Sequence, residues 1–405
     1  MRKRLLLTVT LTTLIASLLP WHAAVATFRG NNGGIAFSAR RTGGDFDIVV
    51  IDPDGSDPTV LTDDAGLDLS PAWSPDGSKI AWGSNSQATA QEIWVMDADG
   101  SDRTRLTTRL GDDTSPAWSP DGTKIAYQAA GGGSDIWVMN ADGSNQTQLT
   151  FTDRGFETTS SWSPDGREIA FTSFDGSSSD IFTMASDGTD RINLTRSAPE
   201  EGSPSWSPGG TRIVFSRGTE TAAEIWTMRA DGSGQRRLTT NQARDQSPVW
   251  SPDGSRIAFV TDRDGDFEIW TTAPDGSDKE RLTDGGGSEF SPDWKPGCTH
   301  LGTEEADVLS GTAGPDLLCG FGGDDTLDGL TGDDVIFGGD GADTLLGGDD
   351  DDVVVGGADG DFLRGGRGDD LLNVFDGVEG NDTINGGTGT DRCVRDAGDV
   401  RSNCP

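Results

Sequence analysis

The 405-residue chain holds two histidines, one tyrosine and four cysteines, and its 31 basic residues are outnumbered by 68 acidic ones. Each shortage excludes a class of function. A serine hydrolase needs a general base, usually histidine, and often a G-x-S-x-G elbow. His22 lies in an N-terminal targeting segment, His300 lies in a linker, and no G-x-S-x-G occurs. A tyrosine-nucleophile glycosidase is equally poorly served: Tyr127 stands alone, at a strand position that Trp82 and Phe171 fill elsewhere. A formal charge of -37 with pI near 4.1 excludes nucleic acid and anionic membrane surfaces as main partners. A cation is the natural complement.

Long apolar runs are scarce too. The one candidate, Leu5 to Leu19, follows the basic start Arg2-Lys3-Arg4 and precedes the small-residue site Ala24-Val25-Ala26. It is short for a membrane span and reads as a signal peptide over residues 1–26, with the mature chain starting at Thr27 and no transmembrane segment within it. A secreted, extracellular protein is expected. In that oxidising setting Cys298, Cys319, Cys393 and Cys404 are expected to form two disulfides. Three connectivities are possible; closeness in sequence favours Cys298 with Cys319 and Cys393 with Cys404. A cysteine zinc site is disfavoured because no pair has the close spacing it requires.

Residues 27–297 form an internal repeat. Trp73, Trp118, Trp162, Trp206, Trp250 and Trp294 are separated by 45, 44, 44, 44 and 44 residues. Around them recur PAWSPDGSKIAW, PAWSPDGTKIAY, SSWSPDGREIAF, PSWSPGGTRIVF and PVWSPDGSRIAF, alternating with stretches such as EIWVMDADGSD and EIWTMRADGSG. Both are hairpins: β-branched and aromatic runs flank an Asp-Gly or Gly-Gly pair that supplies the positive φ of a tight turn. Four short strands A to D per unit, with SPDG joining A to B and ADGS joining C to D, make a six-bladed β-propeller. Asp293 and Trp294 form a seventh A-like strand that competes with Phe28 to close the ring. The tryptophans read as packing between blades. Asp97 to Asp102 resembles a calcium loop, but its first Asp becomes Asn140, Ala185, Arg229 and Ala273 in other units, so it reads as a turn.

The WSPDGxxIAF text followed by IWVMDxDGSxxxRLT resembles the propeller repeat of the TolB family, with departures at Gly209 and in the unmatched first A strand. The resemblance implies a fold more than an activity, since related propellers serve as protein-binding platforms, as non-catalytic halves of peptidases and as polysaccharide lyases. The A–B and C–D turns share one face and scarcely vary. The D–A loops on the opposite face do vary, and carry twelve acids against four arginines. A protein or ligand partner is expected on that acidic face, because rigid scaffolds present sites on loops.

From Gly302 the chain reads in nines: GTEEADVLS, GTAGPDLLC, GFGGDDTLD, GLTGDDVIF, GGDGADTLL, GGDDDDVVV, GGADGDFLR, GGRGDDLLN and, after residues 374–376, GVEGNDTIN and GGTGTDRCV. The sixth position is always aspartate: Asp307, Asp316, Asp325, Asp334, Asp343, Asp352, Asp361, Asp370, Asp382 and Asp391. The eighth is aliphatic in all but the last. This pattern resembles the RTX, or hemolysin-type, repeat, and the resemblance implies a parallel β-roll over residues 298–405 in which those aspartates bind several calcium ions. Its glycines free the turn backbone to curl around an ion, the aliphatic residue points inward, and two nines make one coil. One aliphatic side chain per nine residues cannot offset the ordering entropy. With 25 acids against 5 arginines from Gly302 to Pro405, a net of -20, calcium is expected to be part of the fold. Magnesium, which keeps its waters and wants rigid octahedral geometry, suits the turns less well. Glu305, Asp350 and Asp359 replace fourth-position glycines, and the surest ligands are Asp316, Asp325, Asp334 and Asp343.

The expected protein is all-β, a six-bladed β-propeller followed by a calcium-dependent parallel β-roll, exported, and acting as a binding scaffold. The rival is an extracellular glycan-degrading hydrolase or lyase with its site at the propeller tunnel mouth; the sequence singles out no catalytic residue for it. The propeller has its own core and the roll needs metal, so the two are expected to respond to calcium separately.

Overall fold

A computed structural model of the chain describes residues 31–404 apart from 42–43, 87–89, 132, 153–154, 175, 197–198, 220, 304, 375–377 and 379. The expected signal segment and Phe28 lie outside the described residues. Every regular element among the described residues is a β-strand.

Six four-stranded blades come first. Strands Asp68–Trp73, Lys79–Ser84, Glu92–Asp97 and Thr104–Arg105 pair in sequence order as one blade, and the pattern recurs through Glu280–Arg281. The blade that starts the chain takes its inner strand from the far end of the repeat: Glu289–Gly297 pairs antiparallel with Asn31–Arg40, Ile35 opposite Trp294. The ring is therefore closed by the Trp294 strand.

Each blade is specified locally. In the first A–B turn the Gly77 N–H reaches the Ser74 carbonyl at 2.9 Å with Gly77 at φ 70°, and Asp76 Oδ1 accepts the Ser78 N–H at 3.0 Å. The six tryptophans are 1–4% exposed. Trp118 and Trp162 donate their indole N–H to the Ala72 and Ala117 carbonyls of the preceding blade, both at 3.2 Å. The threonine that ends each unit turns back on its own C strand: Thr62, Thr107, Thr150, Thr195, Thr239 and Thr283 accept the N–H of Ile48, Ile93, Ile136, Ile181, Ile225 and Ile269.

Beyond residue 298 the pairing becomes parallel. One sheet stacks Leu317 on Val335, Val353 and Leu371, and the other stacks Thr326 on Thr344, Phe362 and Thr383. The register is 18 residues, lengthening to 21 where residues 374–376 intervene. Leu318, Leu327, Ile336, Leu345, Val354, Leu363, Leu372 and Ile384 form a fully buried file between the sheets. Disulfides join Cys298 to Cys319 and Cys393 to Cys404, one at each end of the roll. The roll rests on the A–B turns: Arg392 donates to the Gly166 carbonyl at 3.2 Å and Arg167 to the Thr390 carbonyl at 3.3 Å.

One residue marks the closure. Asp293 is 2% exposed and its Oδ2 accepts the Trp73 N–H at 2.6 Å, joining the first blade to the second. Burial holds its carboxyl well above the usual carboxylate range. Ser161 and Ser205 do the same work for Trp206 and Trp250 with a neutral hydroxyl, at 3.3 and 3.5 Å. Asp293→Ala strands the Trp73 N–H and should cost about 1–3 kcal/mol, whereas Asp293→Ser should restore most of that. Urea unfolding of the two variants followed by tryptophan emission checks this; equal loss in both would refute the role assigned to the acceptor.

Candidate calcium ladders and the loop face of the propeller

The nonapeptide turns bring all ten sixth-position aspartates into two columns, one along each edge of the roll. On the first edge the N–H of Asp307, Asp325, Asp343 and Asp361 donates to Oδ1 of Asp325, Asp343, Asp361 and Asp382, at 2.7–2.9 Å. On the second, Asp316, Asp334, Asp352 and Asp370 donate to Asp334, Asp352, Asp370 and Asp391, at 2.8–3.1 Å. Apart from Asp307, each of these aspartates is at most 4% exposed. The column is thus built by the backbone: each aspartate is held in place by the coil before it.

The other carboxylate oxygen is turned toward the first-position glycine of its own turn. A Cβ on Gly320, Gly338 or Gly365 would collide with Oδ2 of Asp325, Asp343 or Asp370, and those three oxygens are buried without a hydrogen-bond partner. A buried carboxylate oxygen with no donor is costly to leave charged. Burial first, then neighbouring carboxylates, pushes Asp343 up to about 6 and Asp370 up to about 7. Among the described residues no three His, Cys, Asp or Glu side chains converge as a preformed metal cluster. The donors present are carboxylates next to glycine-rich turn backbone, hard oxygen ligands of the kind calcium takes, so the residues fit that ion.

Two contributors escaped the sequence reading. Asp399 extends the first column, accepting the Gly380 N–H at 2.9 Å and the Asp382 N–H at 3.5 Å. Its signal was the Gly-Asp-Val-Arg-Ser text, half a repeat hidden in the C-terminal cap. Fifth-position acids add contacts outside the columns: on the second edge Asp333, Asp351 and Asp369 form a file, accepting the N–H of Asp351, Asp369 and Thr390, and on the first edge Asp324 accepts the N–H of Ala342.

On the propeller, much of the loop-face acidity is internal. The acids that open the A strands, Asp68, Asp113, Glu157, Glu201, Asp245 and Glu289, are all at most 5% exposed. They meet C-strand acids of the preceding blade, as Glu289 meets Glu268 and Asp113 meets Glu92. Arginines and threonines tie these groups: Arg105 and Thr107 hold Glu92, Arg281 and Thr283 hold Glu268, Arg217 holds Glu201 and Arg191 holds Glu157. The carboxylates are therefore spread one junction at a time around the ring.

Glu289 is the member with most to lose on ionising. Burial foremost, and then the Glu268 carboxylate against a relieving Thr283 hydroxyl, raises it to about 7. A raised folded-state value means that its contribution to stability is complete below about 4.5 and is lost as pH rises through about 7. Glu289→Gln should flatten that loss, which reaches up to about 3 kcal/mol. Unfolding midpoints of both proteins at pH 5 and pH 8, at fixed calcium, test it; a parallel pH dependence in the variant would contradict it.

Comparison with known proteins agrees with this geometry. The TolB beta propeller domain family matches residues 84–160 and 156–305, more than half of the chain. The RTX calcium-binding nonapeptide repeat matches in four copies, over residues 301–336, 319–354, 337–372 and 373–399. No curated protein matches the sequence. Among solved structures, TolB from Acinetobacter baumannii is similar at 23% identity with a TM-score of 0.59, over 65% of this chain and 67% of that one. The hydrazine synthase of Kuenenia stuttgartiensis is similar at 17% identity and 0.57, over 66% and 47%. A chain of a nidogen/laminin complex is similar at 14% and 0.54, over 65% and 98%. These likenesses establish fold alone. The repeats and the two disulfides are consistent with an extracellular protein, and no helix among the described residues is long and apolar enough to cross a membrane. With its repeating blades, its closing strand and the family match over more than half its length, the chain belongs to the TolB beta propeller domain family and carries RTX calcium-binding nonapeptide repeats behind that propeller.

Proposed function

We propose that this protein is an exported calcium-binding scaffold, made of a cleaved signal peptide (1–26), a partner-binding propeller (27–297) and a calcium-ordered roll (298–405). The observation that carries the reading is the pair of aspartate columns with buried, donorless oxygens at Asp325, Asp343 and Asp370. Calcium, when bound, supplies the positive charge that lets stacked carboxylates stay ionised. The chain's own residues do the rest: the N–H of one coil orients the carboxylate of the next, the first-position glycine leaves room for Oδ2, and the inward file of leucine, isoleucine and valine keeps water from the strands. Asp316, Asp325, Asp334 and Asp343 belong to turns that keep the fourth-position glycine, at Gly314, Gly323, Gly332 and Gly341, and are the principal ligands; Asp307, Asp352, Asp361, Asp370, Asp382 and Asp391 complete the columns.

The propeller's role is binding through its variable loop face, the face opposite the roll. A chain of similar fold occurs in the nidogen/laminin complex, which fits a binding platform. The rival glycan hydrolase or lyase needs several carboxylates converging on one bond, whereas the buried acids stand one junction apart and are already tied by arginine and threonine.

Far-UV circular dichroism during a calcium titration should gain β-signal with a midpoint of roughly 10⁻⁴ to 10⁻³ M, the range of extracellular modules. The double variant Asp325→Ala/Asp343→Ala should move that midpoint upward, because both carboxylates serve one edge. A titration unmoved by the double variant would overturn the assignment. N-terminal sequencing of secreted protein should start at Thr27.

A further inference from the structure

The two sheets of the roll differ in a way the ion columns do not explain. Positions seven and nine of each repeat point outward. On one sheet they are Thr326, Thr344, Phe362 and Thr383 with Asp328, Leu346, Arg364 and Asn385, a mostly polar and accessible set. On the other they are Leu317, Val335, Val353 and Leu371 with Cys319, Phe337, Val355 and Asn373. A strand with apolar residues on both faces is a strand covered on both faces. Here the inward file fills the roll, and outward Leu317, Cys319, Val335, Val353 and Leu371, all at most 7% exposed, form a second cluster with Cys298.

The segment 298–301 lies against Leu317 and Cys319, and the turn face of the propeller covers the rest. Val335, Val353 and Leu371 share a cavity of about 260 Å³ with Pro120, Pro164 and Gly209, and Phe337 and Val355 line another with Pro75 and Gly122. Those turns belong to four successive blades. Two departures from the blade repeat occur at this contact. Arg167 stands where the other turns carry Ser78, Thr123, Thr211 and Ser255, and it reaches the Thr390 carbonyl at 3.3 Å and Asp369 at 3.9 Å. Gly209 stands where the others carry Asp76, Asp121, Asp165 and Asp253, which removes a negative charge facing the acid file Asp333, Asp351 and Asp369. One change adds attraction to the acidic roll and the other deletes repulsion.

We propose that the roll is a calcium-operated cap on the turn face of the propeller: its apolar sheet docks across four blades once the repeats are ordered and releases that face when calcium is withdrawn. The inference rests on the calcium-ordered roll proposed above. Docking needs both sheets in register, because outward valines eighteen residues apart make one surface only when the coils stack. The loop face stays open in both states, so the ion decides whether the protein presents one binding face or two.

The test is hydrogen exchange by mass spectrometry on the full chain, with calcium and with EGTA, alongside far-UV circular dichroism. Calcium should slow exchange about tenfold or more in peptides covering 74–79, 119–124, 163–168 and 207–212. The double variant Val335→Thr/Val353→Thr borrows the residue found on the polar sheet and leaves Ile336, Val354 and every aspartate in place. It should gain the full β-signal with calcium yet lose protection of the turns. Roll ordering without turn protection in the wild type overturns the cap and leaves the scaffold reading intact, whereas absence of any calcium response overturns that reading itself. Should the double variant fail to order its roll, Arg167→Glu weakens the same contact from the propeller side, and unchanged turn protection there overturns the cap.

Discussion

Like charges stacked one coil above another cannot remain both close and ionised without a counter-charge, and the C-terminal roll of this chain is built around that constraint. The 18-residue register places Asp325 on Asp343 and Asp334 on Asp352, with the backbone of one coil gripping the carboxylate of the next. Nothing else in the repeat is large enough to define a coil. The inward aliphatic file is one residue wide, and the turns are mostly glycine and aspartate. On the proposed reading, order in the strands, the apolar outer sheet they assemble and its seat on the propeller all depend on how those carboxylates are neutralised.

The propeller meets a similar problem with its own side chains. Its junctions also bury acids in pairs, but Arg105, Arg191, Arg217, Arg237, Arg263 and Arg281 lie against them and threonine hydroxyls complete the contacts. The propeller and the roll thus share an acidic composition but differ in counter-charge: the propeller carries covalently attached cations, and the proposed function assigns a soluble cation to the roll. On the proposed reading, a chain with a net charge of -37 is folded in one region and conditional in the next for this reason.

Periodicity made most of the architecture readable in advance. The spacing of Trp73 to Trp294 implied six blades, and the nines implied the columns, because a repeat states which positions are equivalent. It does not state which surfaces meet. Glu289 and its equivalents read as rim charge, although the start of an A strand lies inside a blade junction where Glu268 and Thr283 wait for it. Gly209 registered as a lapse in the turn motif and acquires a reason only beside Asp333 and Asp351. The outward valines were visible in the text of the repeats, and two nines to a coil put them on one sheet, but a repeat does not say that the turn face of the propeller lies against that sheet. Asp399 was hidden by the disulfide-tied tail that interrupts the repeat.

The central claim, that carboxylate columns are held by calcium, is tested most directly by crystals grown in calcium and measured for anomalous scattering at long wavelength. The account predicts peaks at the turns between Asp316 and Asp334 and between Asp325 and Asp343, with further peaks along both edges. An ordered roll whose turns carry no anomalous density, in crystals grown with calcium in excess, would contradict it.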